Sequence, residues 1–596
     1  MRQMMIGAAM TVAAVGVSFP TLAGPSVGYL TIEGAVQERQ AMSALFMGDD
    51  SPVTLRDLVA TLDEAASRDD GLEGVVIRLV EPALSWSHAT ELGSAIERVR
   101  ESGKRVHLFT EIYGPVELVL GSYCDEVLIQ KGGAVMLPGL NMQEMFLADT
   151  LKWVGVTPDF VQIGDYKGAK EMYANSEPSP EWNENVNGLL DAMYGQMRGQ
   201  IMSGRELSAS EMDKAMSELA FGEADDAVRL GVIDREIDRG ELDAHLEEQY
   251  GEGFAWDERL METEGGEDLA MQSPFEAFAE LMRMFRGDER EITRDTIAVL
   301  HIDGPIMDGK SGGGGPLGGG PSVGALTIRK ALNEIEDEDR IKGLIVRIDS
   351  PGGSAVASEN IWQGIRRVAE KKQVWASVGS MAASGGYYVA VASEKIYVNP
   401  TSIVGSIGVV GGKLAMEGLF DKLKMNVIER SRGPMAGLMG GLKPWNEAER
   451  AYITERMTST YDLFVSRVKG SRKGIDIGKT AEGRLFVGED AVGLKMADKV
   501  GGLDSALSDM ASALALSPGG FDVVEYPGPM SLEDLLKNAF PMVGAGAKAE
   551  LPATLAAARE LLGAAAFDQV MSSLRGLLEL RNEPVVLVSP RVVIFR

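Results

Sequence analysis

Gly343-Leu344-Ile345-Val346-Arg347-Ile348 is a short run of apolar, mostly β-branched residues, and Gly74-Val75-Val76-Ile77-Arg78-Leu79 repeats it 269 positions earlier in the chain. Runs of this length and composition are typical of parallel strands that are buried on both faces of a sheet. Helical patterns, at residues 55–62 and 328–335 for example, alternate with these strand-like runs. The alternation predicts an α/β fold in which parallel sheets are covered by helices.

The two runs belong to a longer internal repeat, which organises the whole chain. Further segments recur in the same order, with a spacing that drifts from 270 to about 265 positions: 27–34 with 298–304, 125–127 with 393–395, and 220–223 with 485–488. We therefore expect a duplication. The predicted organisation is a secretory signal or anchor at 1–23, a first copy at 24–245, an acidic linker and helix at 246–291, a second copy at 292–525, and a C-terminal extension of unassigned role at 526–596.

Composition and charge exclude several function classes. The 596 residues are 45% hydrophobic and 24% charged, which is typical of a folded protein of at least two domains. The net charge of −30 argues against nucleic-acid binding and against adsorption to anionic lipid, because both depend on clustered Lys and Arg. The single cysteine, Cys124, excludes a disulfide framework and a multi-cysteine zinc site, and we expect it to be a small buried thiol.

The N-terminus has the layout of an export signal. After Met1-Arg2-Gln3, an apolar run extends from Met4 to about Phe19 and leads into Pro20-Thr21-Leu22-Ala23, which resembles a small-residue cleavage site. Because the run is shorter than the roughly 20 residues of a spanning helix, a cleaved signal is favoured over a permanent anchor. The sequence therefore predicts an exported protein.

Two segments next to the second copy have biased compositions. Residues 311–321 are mostly glycine and are expected to form a mobile surface loop. This segment lacks the Gly-Lys-Ser/Thr ending of a phosphate-binding loop, so no nucleotide site is expected. The acidic stretch at 246–268 is interpreted as a solvated linker, and the apolar helical stripe at 275–285 as core or subunit packing rather than membrane contact.

The second copy contains two motifs that could do chemistry. Asp349-Ser350-Pro351-Gly352-Gly353-Ser354 follows the buried strand, where paired glycines form either an oxyanion hole or a plain tight turn. Gly379-Ser380-Met381-Ala382-Ala383-Ser384-Gly385-Gly386-Tyr387-Tyr388 follows a short strand predicted at 374–378. At a strand-to-helix junction its small residues would leave the hydroxyl of Ser384 exposed beside the N–H of Gly385, although they would also suit close helix packing.

The first copy has lost both motifs. It reads Pro82-Ala83-Leu84 at the position of the paired glycines and Tyr113-Gly114-Pro115-Val116 at the position of the serine. If the glycines and the serine served folding alone, the same unit would need them twice. The asymmetry therefore favours a nucleophile in the second copy.

A serine needs a base, and the histidines do not supply an obvious one. His88, His107, His245 and His301 lie in no recognisable triad context. A lysine is the remaining candidate if burial lowers its pKa. The first copy has Gly164-Asp165-Tyr166-Lys167-Gly168-Ala169-Lys170, whereas the second copy has Arg432-Gly433-Pro434-Met435 at the equivalent place. Taken alone, without the serine, such a lysine is better explained as an exposed residue on a loop.

Together the two halves resemble the long, duplicated form of the signal peptide peptidase A (protease IV) family, in the ClpP/crotonase superfamily. The resemblance extends from about Val27 to Leu507. It rests on the two glycine motifs and the Tyr166-Lys167 pair, together with Gly405-Ser406-Ile407-Gly408-Val409 and the stretch from Gly488-Glu489-Asp490-Ala491 to Gly502-Leu503-Asp504.

This resemblance implies two tandem ClpP/crotonase-like units that form a Ser/Lys serine peptidase. It implies that Ser384 attacks the scissile carbonyl, that Lys167 is the general base, that Ser406 orients the lysine, and that Gly353 and Gly385 donate to the oxyanion. Neither a metal nor another cofactor nor a nucleotide is implied. The implied substrates are hydrophobic peptides such as cleaved signal peptides, and the implied setting is a bowl-like homotetramer in the periplasm, at the outer face of the bacterial inner membrane.

Departures from the family pattern leave alternatives open. The lysine is followed by Gly168-Ala169-Lys170-Glu171-Met172, where the family more often has Ser-Ala-x-Glu-Pro, so Lys170 is a rival for the role of base. The C-terminal extension, with its strand-like Pro584-Val585-Val586-Leu587-Val588, lies outside the resemblance. Two other functions are compatible with the fold: a crotonase-type acyl-CoA enzyme and a non-catalytic oligomeric scaffold.

Overall fold

The computed structural model describes residues 25–39, 53–257, 260, 292–312, 322–517, 519–528, 586–588 and 594–595. The predicted signal at 1–23 and the apolar stripe at 275–285 lie outside these residues, and so does most of the glycine-rich segment. Within the described part of the chain, no helix has both the length and the apolar character needed to cross a membrane.

The first unit alternates strands and helices. Its strands are β1 (Ser26–Ala35), β2 (Leu72–Ala83), β3 (Arg105–Tyr113), β4 (Glu126–Val135), β5 (Asn141–Met142), β6 (Thr157–Ile163), β7 (Gly222–Glu223), β8 (Arg235–Ile237) and β9 (Ala255–Asp257). Its helices are α1 (Leu55–Ser67), α2 (Trp86–Glu101), α3 (Pro115–Gly121), α4 (Ala148–Val154), α5 (Glu171–Ala174), α6 (Pro180–Gly204), α7 (Ala209–Glu218), α8 (Ala224–Arg229) and α9 (Leu242–Tyr250).

The second unit repeats this alternation. Its strands are β10 (Thr296–Asp303), β11 (Ile306–Met307), β12 (Val323–Gly324), β13 (Ile341–Ser350), β14 (Gly352–Ser354), β15 (Gln373–Ala383), β16 (Lys395–Val398), β17 (Ile403–Gly405), β18 (Val409–Ala415), β19 (Leu485–Val487), β20 (Lys499–Val500) and β21 (Asp522–Tyr526). Its helices are α10 (Ala325–Asp337), α11 (Ala355–Ala369), α12 (Gly385–Ala390), α13 (Glu417–Lys422), α14 (Glu447–Ser471), α15 (Ile477–Thr480), α16 (Gly488–Gly493) and α17 (Leu503–Ala513).

Each unit has a mainly parallel central sheet. The first sheet has the order β7-β4-β3-β2-β1-β9, with β8 also paired to β4, and only β7 is antiparallel to its neighbour. The second has the order β19-β17-β15-β13-β10-β21, with β16 paired to β15 and β20, and only β19 is antiparallel. The predicted α/β fold of parallel, helix-covered sheets is confirmed.

The repeated runs are the central strands of these sheets. Val76 in β2 and Ile345 in β13 are fully buried, because helices cover both faces of a sheet of this kind. The helices α1 and α10 include the two predicted helical patterns, and they bury apolar stripes such as Leu58 and Leu62 against the strands. The lone Cys124 is buried as predicted, and burial raises the pKa of its thiol.

A third sheet joins the two copies and the C-terminal tail. Its order is β12-β11-β14-β22-β18-β6, where β22 is Val586–Val588. In the antiparallel β6/β18 ladder, Ile163 of the first copy lies opposite Val409 of the second. A further short strand, β23 (Ile594–Phe595), pairs with β5. Because β6 pairs with β18, the residues that follow β6 in the first copy lie against the second copy.

The sequence-based boundaries are wrong at two places. The linker predicted from residue 246 begins inside α9, where Leu246 is fully buried, and β9 beyond it adds to the edge of the first sheet. The acidic composition of this segment led to its interpretation as a linker. Its few apolar side chains, however, face the core of the first copy. In the second copy, β15 continues five residues past the predicted end at Val378, since Met381 to Ala383 pair with β17.

Candidate active site

Ser384 lies in the tight turn between β15 and α12. Its backbone has φ +55° and ψ −114°, a region that non-glycine residues rarely occupy. Two backbone hydrogen bonds hold this turn: Ser384 N donates to Gly405 O at 2.8 Å, and Tyr388 N donates to Ser384 O at 2.8 Å. The serine hydroxyl makes no capping hydrogen bond to α12, although Ser384 is the residue that precedes this helix.

Lys167 reaches this hydroxyl from the other copy. It follows β6 by four positions, and its Nζ lies 2.6 Å from Ser384 Oγ. Close backbone packing fixes the approach, because a Cβ added to Gly483 would stand 2.4 Å from Lys167 Cα. Both side chains are fully buried. The structure therefore brings together two predicted site residues that are 217 positions apart in the chain.

Ser406 completes the surroundings of the amine. Lys167 Nζ donates to Ser406 O at 2.9 Å and lies 3.0 Å from Ser406 Oγ. Ser406 is also buried and has a positive φ of +52°, and its N–H donates to Arg484 O at 2.6 Å. The three oxygen atoms around the amine belong to hydroxyl and carbonyl groups, so they offer hydrogen bonds without a compensating negative charge.

The chemistry of the pair follows from this burial. Burial lowers the pKa of Lys167 well below its ordinary value of 10.5, since the charged ammonium loses its hydration. A neutral amine has a lone pair that can accept the proton of a serine hydroxyl at hydrogen-bond distance. The arrangement can thus generate a nucleophilic oxygen without a histidine.

Gly353 and Gly385 bring two stretches of backbone into close contact beside Ser384. A Cβ added to Gly385 would stand 3.1 Å from Gly353 N and 2.6 Å from Ser358 Oγ. A Cβ added to Gly353 would stand only 1.9 Å from Ile306 O. Because neither position accommodates a side chain, only glycine lets the two stretches of backbone approach this closely, and the N–H groups of Gly353 and Gly385 are candidates for anion donors.

Lys170, the rival candidate for the base, lies at the start of a short helix. It precedes α5, its side chain is partly buried, and its carbonyl oxygen accepts hydrogen bonds from Tyr173 N and Ala174 N at 3.0 and 2.9 Å. The lysine within hydrogen-bond distance of Ser384 is Lys167.

The equivalent place in the first copy is filled by core residues. Tyr113 is fully buried, and its hydroxyl donates to the carbonyl oxygens of Leu108 and Leu128 at 3.1 and 2.9 Å. The next residues, Gly114 and Pro115, begin α3. A core tyrosine and a helix start therefore stand where the second copy presents its serine.

A buried ionic cluster next to the site was missed at the sequence level. Arg347 in β13 binds Glu38 and Glu91 of the first copy, each at 2.8 Å, and Ser377 at 3.0 Å. Asp349, two residues on, accepts a hydrogen bond from Ser380 N at 3.1 Å. Burial, together with the nearby carboxylates, raises the pKa of Asp349 to about 7. An arginine inside an otherwise apolar strand run was the signal that could have revealed this cluster.

Comparisons with known proteins agree with the duplication. The model of peptidase family S49 matches residues 99–251 and 366–517, once in each copy. The chain is 28% identical over 449 residues to the chloroplastic serine protease SPPA of Arabidopsis thaliana, a match that covers 74% of this chain and 63% of that protein. It is 26% identical over 468 residues to Protease 4 of Haemophilus influenzae, covering 76% and 72% of the two chains.

The chain is 24% identical over 522 residues to Protease 4 of Salmonella typhi, a match that covers 85% of this chain and 80% of that protein. Among solved structures, a membrane-bound stomatin-specific protease, 1510-N, in complex with a substrate peptide, covers 42% of this chain and 99% of its own. The TM-score of that match is 0.25, at 17% sequence identity.

Proposed function

The chain belongs to peptidase family S49 and is a serine peptidase, and from that premise we propose that Ser384 is its nucleophile and Lys167 its general base. The observation that carries the proposal is the 2.6 Å contact between Lys167 Nζ and Ser384 Oγ, both of them fully buried. Membership of the family also confirms the resemblance drawn from the sequence motifs.

The first half of the proposed reaction forms an acyl-enzyme. Neutral Lys167 takes the hydroxyl proton as Ser384 Oγ bonds to the carbonyl carbon of the peptide, and the carbonyl oxygen becomes an oxyanion. The N–H groups of Gly353 and Gly385 donate to that oxyanion, a contribution typically worth about 3–4 kcal/mol for each donor. The lysine ammonium then gives its proton to the leaving amine as the carbon–nitrogen bond breaks.

The second half releases the acyl group. Lys167 takes a proton from a water molecule, whose oxygen attacks the ester carbonyl, and the proton returns to Ser384 Oγ when the ester bond breaks. In both halves an ammonium exists for a short time in a buried place. The carbonyl and hydroxyl oxygens of Ser406, at 2.9 and 3.0 Å, accept its remaining hydrogens, which supports the role of Ser406 in orienting the lysine.

Hydrophobic peptides are the proposed substrates, with the remnants of cleaved signal peptides as the example that the resemblance implies. Ala383, directly before the nucleophile, lies in an apolar cluster with Trp182, Ile403 and Leu485. The partly buried Met381 packs against the same cluster. Apolar surroundings of this kind favour apolar side chains on either side of the bond to be cut.

The proposed setting is outside the cytoplasm, in the periplasm at or anchored to the outer face of the inner membrane. The apolar N-terminal run supports export, and two of the relatives are bacterial proteins called Protease 4. Because the net charge is −30, electrostatic adsorption to anionic lipid would be unfavourable. Membrane proximity would then depend on the N-terminal segment or on the substrate.

We also propose that the chain assembles with copies of itself, as a homotetramer by the resemblance. The duplication supports this, because β6 of the first copy pairs with β18 of the second, whereas the second-copy equivalent of β6, residues 425–431, is exposed. Its natural partner is the first-copy equivalent of β18, residues 141–147, in the next chain. Such a contact is head-to-tail and repeats until a ring closes.

The decisive experiment is hydrolysis of a hydrophobic signal-peptide fragment by the purified wild type, Ser384→Ala, Lys167→Ala and Lys170→Ala. We expect Ser384→Ala and Lys167→Ala each to lose about 10³-fold or more in kcat, as is typical when one member of a catalytic pair is removed. Lys170→Ala is the matched control, a lysine three positions away, and should stay within about threefold of wild type.

Folding and assembly are checked for each variant by circular dichroism and gel filtration. If Ser384→Ala cleaves as well as wild type, the proposed nucleophile is wrong and another group of the chain attacks the peptide. If the wild type cleaves no peptide, an acyl-CoA enzyme or a non-catalytic scaffold is favoured instead. If only Lys170→Ala loses activity, the rival lysine is the base.

A further inference from the structure

The C-terminal tail occupies the sheet edge beside the proposed catalytic pair. In the third sheet, β22 lies between β14 and β18 and is antiparallel to both. Val588 lies opposite Gly352, Leu587 opposite Gly353 and Val586 opposite Ser354. On its other side, Val586 lies opposite Val410. A segment more than 170 positions from either neighbouring strand in sequence thus fills a gap between them.

The two neighbouring strands form the two sides of the proposed catalytic site. β14 contains Gly353, whose backbone lies against Gly385 next to the nucleophile. β18 begins three residues after Ser406, which holds the lysine amine. A strand seated between them therefore passes the position where a scissile peptide would lie. Extended peptides commonly bind enzymes by adding a strand to an open sheet edge in this way.

The tail makes an equivalent contact with the first copy. Val410 in β18 corresponds to Met142 in β5 at the repeat spacing of 268 positions. Val410 lies opposite Val586, and Met142 lies opposite Ile594 in β23. The tail sequence is itself repetitive, with Val585-Val586-Leu587-Val588 followed by Val592-Val593-Ile594-Phe595. Two similar tail strands therefore occupy the same structural position in the two copies, of which only the second has the serine.

We propose that the C-terminal tail is an autoinhibitory strand, with residues 586–588 seated in the peptide-binding cleft of the same chain. The inference rests on the proposed function, since it assigns this cleft to the substrate. The tail and the substrate then compete for one backbone edge. Because the tail is tethered, its effective concentration does not depend on how dilute the protein is.

Competition between the tail and a peptide should lower the apparent affinity of the cleft for the peptide. If the tail occupies the cleft for nine-tenths of the time, the apparent affinity for a peptide falls about tenfold, in proportion to the free fraction. Removing the tail would leave the intrinsic affinity and the turnover at saturation unchanged. The proposal thus predicts an effect on KM and on peptide binding, and not on kcat.

The test compares full-length protein with a chain that ends at Pro584, both in the Ser384→Ala background so that neither is cleaved. The probe is a fluorescent synthetic peptide with the sequence of residues 583–591, and binding is followed by fluorescence anisotropy. We expect the shortened chain to bind it at least about tenfold more tightly than the full chain. The same peptide with proline in place of Leu587 should not bind, because proline cannot complete the strand pairing.

A point variant covers the case in which the shortened chain folds poorly. Leu587→Pro in the full-length chain should unseat the tail and give peptide affinity close to that of the shortened chain. Asn582→Pro, the same change placed before the strand, is the matched control and should bind like the full-length parent.

Equal affinities of the full-length, Leu587→Pro and shortened chains would overturn the proposal, and so would failure of the shortened chain to bind the peptide. The failure of the proposed function looks different. Hydrolysis that does not depend on Ser384 or Lys167 would remove the catalytic assignment, while a tenfold affinity difference would still place the tail in the cleft.

Discussion

Lys167 is a lysine in a place where a charge is costly. The ammonium would be surrounded by neutral oxygens and apolar side chains, and burial lowers its pKa well below 10.5. In the unfolded chain the same amine has its ordinary pKa. Between these two pKa values the unfolded state binds one more proton than the folded state, so the free energy of unfolding rises with pH across that window.

Removal of the Lys167 amine should remove this energetic penalty. Lys167→Met removes the amine and keeps a flexible side chain of similar length, so it should raise the free energy of unfolding at pH 7 by on the order of 1 kcal/mol while it abolishes hydrolysis. The gain should shrink as the pH approaches 10, where the unfolded lysine loses its proton. Urea denaturation of both proteins at several pH values measures it.

The pH dependence of hydrolysis is the companion measurement. Since only the neutral amine accepts the serine proton, kcat/KM should rise with pH through one ionisation below 10.5 and then level off. If the difference in stability between Lys167→Met and wild type does not change between pH 7 and pH 10, the folded lysine has an ordinary pKa, which contradicts its role as the base.

Single residues differ in how well the sequence predicts them. Ser384 and Lys167 could be predicted from the sequence, because each copy lacks the group that the other supplies. The choice between Lys167 and Lys170 could not be made from spacing, since it depends on how the loop after β6 turns against Gly483. The partners of Arg347 could not be predicted from the sequence either, because Glu38 lies 309 positions away and an ion pair leaves no local pattern.

Among the elements, β14 has the least tolerance for change. It is three residues long, and its middle residue, Gly353, has no room for a side chain because a Cβ would stand 1.9 Å from Ile306 O. Gly353→Ala must therefore push β14 away from β11 and displace the proposed oxyanion donor. We expect kcat to fall by about 10²–10³-fold, the usual loss of one such donor.

A second glycine provides the control for that prediction. Gly188 lies in α6 with open space around its Cβ position, so Gly188→Ala should leave kcat unchanged and stabilise the helix by up to about 1 kcal/mol. Steady-state kinetics with a chromogenic peptide separates the two variants. A Gly353→Ala protein with normal kcat would exclude Gly353 from oxyanion binding.

Helices and strands that follow a local apolar periodicity could be predicted from the sequence. Strands that exist only because they pair with a distant segment could not. The central strands and the helices α1 and α10 follow apolar periodicity, which is a local signal. Strand β9 has only three residues and exists because β1 offers a free edge. Strand β22 was recognised as strand-like, but its place between β14 and β18 depends on two ladders that no sequence window contains.

At the scale of the whole molecule, Arg347 connects the two copies through a buried cluster. Its side chain is 1% exposed, and its carboxylate partners Glu38 and Glu91 belong to the first copy. Arg347→Met should cost about 3–5 kcal/mol in the free energy of unfolding, because two buried carboxylates lose their cation. Adding Glu38→Gln and Glu91→Gln to that variant should recover a large part of the loss.

Urea denaturation monitored by tryptophan fluorescence tests this prediction. An exposed arginine is the control: Arg456 pairs with Glu455 at the surface, and Arg456→Ala should change stability by less than about 0.5 kcal/mol. If the triple variant is less stable than Arg347→Met alone, unpaired carboxylates are not the cause of the loss.

The proposed assembly depends on the exposed segment at residues 425–431. Ile428 is 77% exposed in the segment that corresponds to β6, so Ile428→Asp should leave the folded chain intact and dissociate the proposed ring. Phe221→Asp, at a side chain that is 78% exposed in the first copy, is the matched control and should keep the assembly. Light scattering coupled to gel filtration measures both. A monomeric wild type, or an Ile428→Asp protein of unchanged mass, would contradict the proposed contact.

The division of the proposed catalytic pair between the copies has an evolutionary consequence. Lys167 lies in the first copy, where the second has Met435, and Ser384 lies in the second copy, where the first has a core tyrosine and a helix start. Each half thus lacks the group that the other supplies to the proposed pair. A chain that lost either half would lose one of the two groups of the proposed pair, so selection for hydrolysis would preserve both halves as a single inherited unit.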